Sequence, residues 1–205
     1  MSNLDKLIKY FEGFPGIGGR QARRFAFHIL RLPASDAQAI AQLITSLESS
    51  VMECERCHKF FSLDSGASSV CSICMDTNRD HSKLMIVERD TDIQSVERSG
   101  IYNGLFFVLG GTVPVLNSNV SEKLRGGALK ATVRTQLNEN LSEIILGFSI
   151  NPDGENTARY VESLLQEETE KHSLQVTRLG RGLSTGSELE YADSETIKNA
   201  LRNRA

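Results

Sequence analysis

The sequence contains no run of about 18 uninterrupted apolar residues, which excludes a conventional membrane-spanning helix. Its start, MSNLDKLIKYFEGF, sets acids and glycine where a secretory leader needs a continuous apolar stretch, so a soluble, cytoplasmic protein without membrane contact is expected. A charge excess is also lacking: 23 Lys+Arg stand against 26 Asp+Glu in 205 residues, a net charge of -3. That excludes a uniformly basic nucleic-acid binder and leaves any DNA or RNA contact to a local patch. There is no internal repeat and no long low-complexity linker, and with 40% apolar residues the composition excludes disordered and collagen-like chains. A chain of this length buries a real core, as one domain or as two or three modules. Catalytic signatures are absent too. No serine sits in a Gly-x-Ser-x-Gly elbow, and the Gly-rich VLGGTVPVL lacks the Gly-Lys-Ser/Thr ending of a phosphate-binding Walker loop.

What is present is polarised along the chain. Residues 15–33 hold Arg20, Arg23, Arg24 and Arg31 and no acid, whereas residues 162–170 hold Glu162, Glu167, Glu168 and Glu170 and no base. The first 52 residues read as helical. Leu4, Leu7, Ile8 and Phe11 recur at helical spacing, a second run spans 19–32, and a third spans 35–52 with Ile40, Leu43, Ile44 and Leu47 on one face and Ser35 or Asp36 as its N-cap. From residue 84 onwards, short apolar runs at 84–87, 105–109, 143–148 and 174–179 alternate with helical stretches at 92–99, 121–137 and 155–171. Such alternation implies an open α/β sheet of buried parallel strands.

Residues 53–81 lack apolar periodicity and hold all four cysteines, as Cys54-Glu55-Arg56-Cys57 and Cys71-Ser72-Ile73-Cys74. Each C-x2-C knuckle turns tightly enough to offer both sulfurs to one ion, so the pair predicts a tetrahedral, closed and therefore structural Zn2+ site. Buried thiols do not explain the paired spacing, and disulfides are disfavoured in a cytoplasmic chain. His58 and His81, beside the knuckles, read either as ligands replacing a cysteine or, more commonly for histidines so placed, as solvated neighbours.

Two further constellations carry a functional and a structural reading side by side. Phe14-Pro15-Gly16-Ile17-Gly18-Gly19-Arg20 joins two helical runs. A Gly-x-Gly turn into a helix bares backbone N–H groups that cradle a phosphate, and Arg20, Arg23 and Arg24 extend the contact along a nucleic-acid backbone. The plainer account is a helix–helix turn whose glycines supply positive φ. Glu88, at the end of the first strand, and Asp153 and Glu155, shortly after the 143–148 strand, fall at carboxyl ends of strands, where open sheets bind ligands. Three carboxylates there can hold Mg2+; equally, Asp153 is a natural N-cap and Glu155 suits the positive end of a helix.

The order of these pieces resembles the family of bacterial recombination mediators called RecR over essentially the whole chain. The motifs that carry the likeness are FPGIGGRQARRFAFHIL, CERC with CSIC, MIVERDTDIQSVERSGIYNGLFFVLGG and RGLSTGSELEYADSETIKNAL. The resemblance implies a helix-hairpin-helix DNA-binding module over 1–52, a four-cysteine zinc finger over 53–81, a Toprim domain of Rossmann-like topology over 82–177 and a C-terminal subunit-contact segment over 178–205. It implies sequence-independent DNA binding without catalysis, in which the protein acts with RecO and RecF to load recombinase on gapped single-stranded DNA, as a homo-oligomeric clamp, a ring-shaped tetramer. By position, Arg20 and Arg24 match the family's DNA-contacting residues, Cys54, Cys57, Cys71 and Cys74 its zinc ligands, and Glu88, Asp153 and Glu155 its Toprim acids. Two stretches depart from the pattern. The acidic motif reads Ser-Ile-Asn-Pro-Asp-Gly-Glu, with its Asn-Pro pair displaced by two residues, and RGLSTG lacks the usual proline. The first change looks towards topoisomerase or primase Toprim motifs, so the competing expectation is a Mg2+-dependent nuclease or primase-like enzyme using those three acids.

Overall fold

A computed structural model of the chain describes residues 1–63, 68–116, 124–180, 182–183, 186 and 188–203. Residues 121–123, expected to begin a crossover helix, and residues 181, 184 and 185 of the RGLSTG stretch lie outside the described residues. The chain forms two compact units, Met1–Val51 and Met52–Ala205.

The first unit is helical. Helix α1 (Asn3–Glu12) opens on a capping box: Ser2 Oγ accepts from the Asp5 amide at 3.2 Å, and the Asp5 carboxylate accepts from the Ser2 amide at 2.9 Å. Leu4, Leu7, Ile8 and Phe11, the stripe expected from their spacing, are its half-buried residues. Helix α2 (Gly19–Ile29) buries Ala22 and Ala26 completely, and Phe11 meets Phe25 edge-on at 6.0 Å. This helix ends earlier than expected because Pro33 disfavours helical backbone just before it. The chain tightens instead, Arg31 N donating to His28 O and Leu32 N to Ile29 O. Helix α3 (Ala34–Ser50) is capped by neither Ser35 nor Asp36. Pro33 occupies the N-cap, its carbonyl accepting from the Asp36 and Ala37 amides at 3.0 and 3.2 Å, and the two polar residues fall in the first turn. Its apolar face is there, yet Ile40, Leu43, Ile44 and Leu47 remain exposed.

The second unit is built on a parallel sheet. After the short strands β1 (Val51–Glu53) and β2 (Phe60–Ser62) and helix α4 (Ser72–Met75) come β3 (Asp80–Val87), α5 (Asp90–Ser99), β4 (Gly104–Val108), α6 (Gly126–Leu137), β5 (Glu143–Gly147), α7 (Pro152–His172) and β6 (Gln175–Arg178), then a 3-10 turn and α8 (Ser194–Arg202). β3, β4, β5 and β6 pair in parallel in the order β4-β3-β5-β6, so the chain doubles back at β3. Gly126 and Gly127 open α6. A Cβ at Gly126 would lie 2.3 Å from Tyr160 Oη, so glycine there admits α7.

Side chains alternate across the sheet. Leu84, Ile86, Leu105, Phe107, Ile144 and Leu146 face one core, closed by Leu129 and Val133 of α6 and Ala158, Val161 and Leu165 of α7. Met85, Val87, Phe106 and Val108 face the other, where they meet Ile93 of α5, Ile73 and all four cysteines. Burial on both faces explains why β3 and β4 read as continuous apolar runs.

Candidate functional site

The hairpin between α1 and α2 owes its shape to two different uses of glycine. Gly16 adopts φ +75°, a left-handed conformation that other residues reach only with strain, with open space where a Cβ would stand. Gly18 has an ordinary extended φ of -85° and occupies the N-cap of α2 without a side-chain cap, so the first amides of α2 have no capping oxygen. The positive-φ account of the turn thus holds for Gly16 and not for Gly18. Beyond the turn, Arg20, Arg23, Arg24 and Arg31 line an open concavity of about 850 Å³ together with Gln21, Phe25, Phe27 and His28. Arg23 Nε donates to Gly19 O at 3.3 Å. Among the described residues, none of the four arginines forms an ion pair.

The acidic stretch behaves in the opposite way. Glu162 pairs with Arg178 at 2.7 Å, Glu167 with Lys130 at 3.2 Å and Glu168 with Arg134 at 2.8 Å, while Glu170 accepts from Gln166 at 2.8 Å. The two oppositely charged segments are therefore not equivalent. The acids each have a partner within their own unit, although Glu168 Oε2 is buried without one of its own, and the arginine face keeps its field for something else.

The four cysteines come together as expected. Their sulfurs all lie within 4.8 Å of one another, Cys57 Sγ and Cys71 Sγ at 3.6 Å, and every one of the four residues is buried. Tetrahedral bonds of about 2.3 Å to a zinc ion require sulfurs about 3.8 Å apart, so the cluster fits such an ion. The local fold supplies this geometry. Cys54 N donates to Lys59 O and His58 N to Cys54 O, curling the first knuckle, with His58 at φ +60°; Cys71 caps α4 and donates its amide to Cys54 Sγ at 3.3 Å. Four sulfurs this close do not ionise together unaided: the Cys54 sulfur, with burial adding to it, pushes the Cys57 and Cys74 thiols up. A divalent cation among them removes that conflict. His58 and His81 are not alternative ligands. His58 Nδ1 bonds Glu53 Oε1 at 2.5 Å and its ring lies edge-on to Phe107, and His81 Nδ1 bonds Glu139 Oε2 at 3.0 Å.

The cluster is tied to the sheet by contacts that the sequence does not signal. Val108 N donates to Cys57 O at 2.8 Å, Phe60 N to Asp90 Oδ1 at 2.7 Å, and Arg125 to Glu53 Oε2 at 3.0 Å across 72 residues. Burial works against the Glu53 charge, but the His58 ring and the Arg125 guanidinium outweigh it and hold the carboxyl below its usual range.

The third constellation is at the carboxyl ends of β3 and β5, which are neighbours, as its reading required. Glu88 is buried and its Oε1 accepts from Ser149 N at 2.7 Å. Asp153 Oδ1 accepts from Val115 N at 3.0 Å, and Glu155 pairs with Arg178 at 2.9 Å. Asn151, not Asp153, caps α7: its side chain accepts from Gly154 N at 2.8 Å, with Pro152 opening the helix. The displaced Asn-Pro pair thus starts the helix, and both acids lie in its positive first turn. Among the described residues, the cysteines are the one group of three or more ligating side chains whose donor atoms lie within 4.8 Å of one another. Arg178, the last residue of β6, joins this group by pairing with Glu155 and Glu162, and its place at a strand's carboxyl end is its one signal in the sequence.

Among the described residues no helix is long and apolar enough to cross a membrane. Family models match the chain in three stretches: a RecR helix-hairpin-helix over residues 4–47, a Toprim domain over residues 82–180 and a RecR C-terminal segment over residues 182–205. The recombination protein RecR of Rhodopirellula baltica is 36% identical over 98% of this chain and 95% of its own length. That of Chloroflexus aggregans is 39% identical over 97% of this chain and 91% of its own, and that of a Psychrobacter species 35% over 98% and 97%. Likeness at this level from end to end, with the hairpin, the four-cysteine cluster and the Toprim sheet all in place, makes the chain a member of the RecR family of recombination proteins.

Proposed function

We propose that this protein binds DNA through phosphates, without reading sequence and without turnover, as a homo-oligomeric clamp in recombinational repair. In this reading it acts in the cytoplasm with RecO and RecF to load recombinase on gapped single-stranded DNA. The observation that carries the binding is the contrast between the paired acids of α7 and the arginines of α2, which form no ion pair among the described residues. Residues 1–52 supply the DNA contact, with Gly16 and Gly18 shaping the turn and Arg20, Arg23 and Arg24 meeting phosphates. Cys54, Cys57, Cys71 and Cys74 of residues 53–81 hold a structural Zn2+, residues 82–177 supply the Toprim surface, and residues 178–205 supply subunit contacts in a tetrameric ring. Glu88, Asp153 and Glu155 form a partner-binding or divalent-ion surface. That each of these acids already serves a backbone amide or an arginine supports a non-catalytic role.

The test is salt-dependent binding. Replacing Arg20 and Arg24 together by Ala is expected to weaken affinity for all DNA sequences alike and to flatten the log–log salt dependence by about 2, one unit for each arginine that no longer neutralises a phosphate. An unchanged slope contradicts the hairpin–phosphate contact.

A further inference from the structure

Phosphate binding alone does not explain the whole α2 surface. On a helix of 3.6 residues per turn, Arg20, Arg24 and Phe27 fall within an arc of about 60°, with Arg31 just past the helix end. This arc points away from the side that buries Ala22 and Ala26. Phe27 is 47% exposed, between two arginines, on the face least able to pack against its own unit. Phe25 is different, since its ring rests against Phe11.

We infer that Phe27 is a stacking platform for an unpaired base, so that this face selects single-stranded DNA. The inference rests on the phosphate reading given above and adds the residue that gives this face its preference for an unpaired strand. An exposed ring flanked by cations suits a ligand that offers negative charge and a π-face within a few ångströms of each other. A nucleic-acid strand offers both: the arginines track its backbone and the ring takes a base. In a duplex the base faces are already stacked on one another, so the ring finds a partner only where the strand is unpaired. A second copy of this chain is a poorer fit, because a twofold contact centred on Phe27 sets one arginine stripe against another. A different protein partner would have to bring carboxylates for Arg20 and Arg24 as well as an apolar pocket.

The experiment is an anisotropy titration of the full-length, zinc-loaded chain on three labelled probes: oligothymidine, an abasic strand of the same length and a duplex. Phe27→Leu keeps an apolar side chain and removes the ring. It is expected to weaken binding to oligothymidine about tenfold, within the range for removal of one base–aromatic stack, and to leave the abasic strand and the duplex as they were. Phe27→Trp is expected to restore the oligothymidine affinity. An equal loss on the abasic strand, no loss on oligothymidine, or a change in assembly mass with Phe27→Leu overturns the stacking role while leaving the phosphate contact in place. If the unsubstituted chain binds none of the three probes, the phosphate reading fails and the stacking role fails with it.

Discussion

Cys57→Ser is expected to strip the metal from the chain and to lower the melting temperature of the 52–205 unit by about 10 °C or more, the scale expected when a structural metal is removed. The size follows from where the cluster sits. The sulfurs are not in a detached finger. They form part of the core that covers Met85, Val87, Phe106 and Val108 on one face of the sheet, and Cys57 O also accepts the Val108 amide. Removing one thiolate opens a closed four-sulfur site and leaves three crowded, buried sulfurs without a cation to hold them. Metal content and unfolding should therefore fall together, in one transition that includes β3 and β4. Metal retained at one ion per chain, or metal released with β3 and β4 as protected from hydrogen exchange as before, contradicts this expectation.

Gly154→Ala is expected to be nearly as damaging. A Cβ at this position would stand 1.9 Å from the carbonyl oxygen of Ser149, a backbone atom on the turn that also donates its amide to Glu88. The three nearest atoms are all backbone atoms of Ser149, so the start of α7 must shift and carry Asp153 and Glu155 with it. We expect a loss of about 3 kcal/mol, at the upper end for overpacking, and a melting temperature lower by about 6–12 °C. Gly127→Ala is the control. It too lies in the first turn of a helix, but nothing stands within 4 Å of its Cβ, and the substitution should be neutral or stabilising. Calorimetry on the two variants separates crowding from loss of backbone freedom. Equal stability in both removes the argument that the Ser149 turn is rigid.

β3 and β4 were legible in the sequence because parallel strands buried on both faces leave the plainest signal there is, and the four apolar runs lie within a residue or two of β4, β5 and β6 and at the end of β3; β6 departs from the expected burial, being an edge strand with Gln175 and Arg178 exposed. The cysteine pairs were legible because knuckle spacing is itself geometry. What was not legible is that residues 53–81 cover the sheet. Hydropathy patterns do not register a cluster of thiols as a core, yet four of the ten buried residues there are cysteines. Helix starts were the other gap. At both Pro33 and Pro152 the fixed φ of proline, with Asn151 before the second, moved the cap away from the acid or hydroxyl that composition favoured. Nor does a tally of charge reveal pairing: Arg178, Lys130 and Arg134 neutralise the acidic helix from distant parts of the chain, which is what singles out the arginines of α2.

The expected behaviour is that those arginines bind DNA phosphates and that the Toprim acids cut nothing. It is met most directly by titrating the zinc-loaded protein on end-labelled gapped DNA with Mg2+ present, across several salt concentrations, and splitting each sample between native and denaturing gels. A phosphate-directed clamp gives retarded DNA that is intact when denatured, with binding that fades as salt rises. Labelled fragments that form with the unsubstituted chain and vanish with Glu88→Ala would contradict it, by making the carboxylates catalytic.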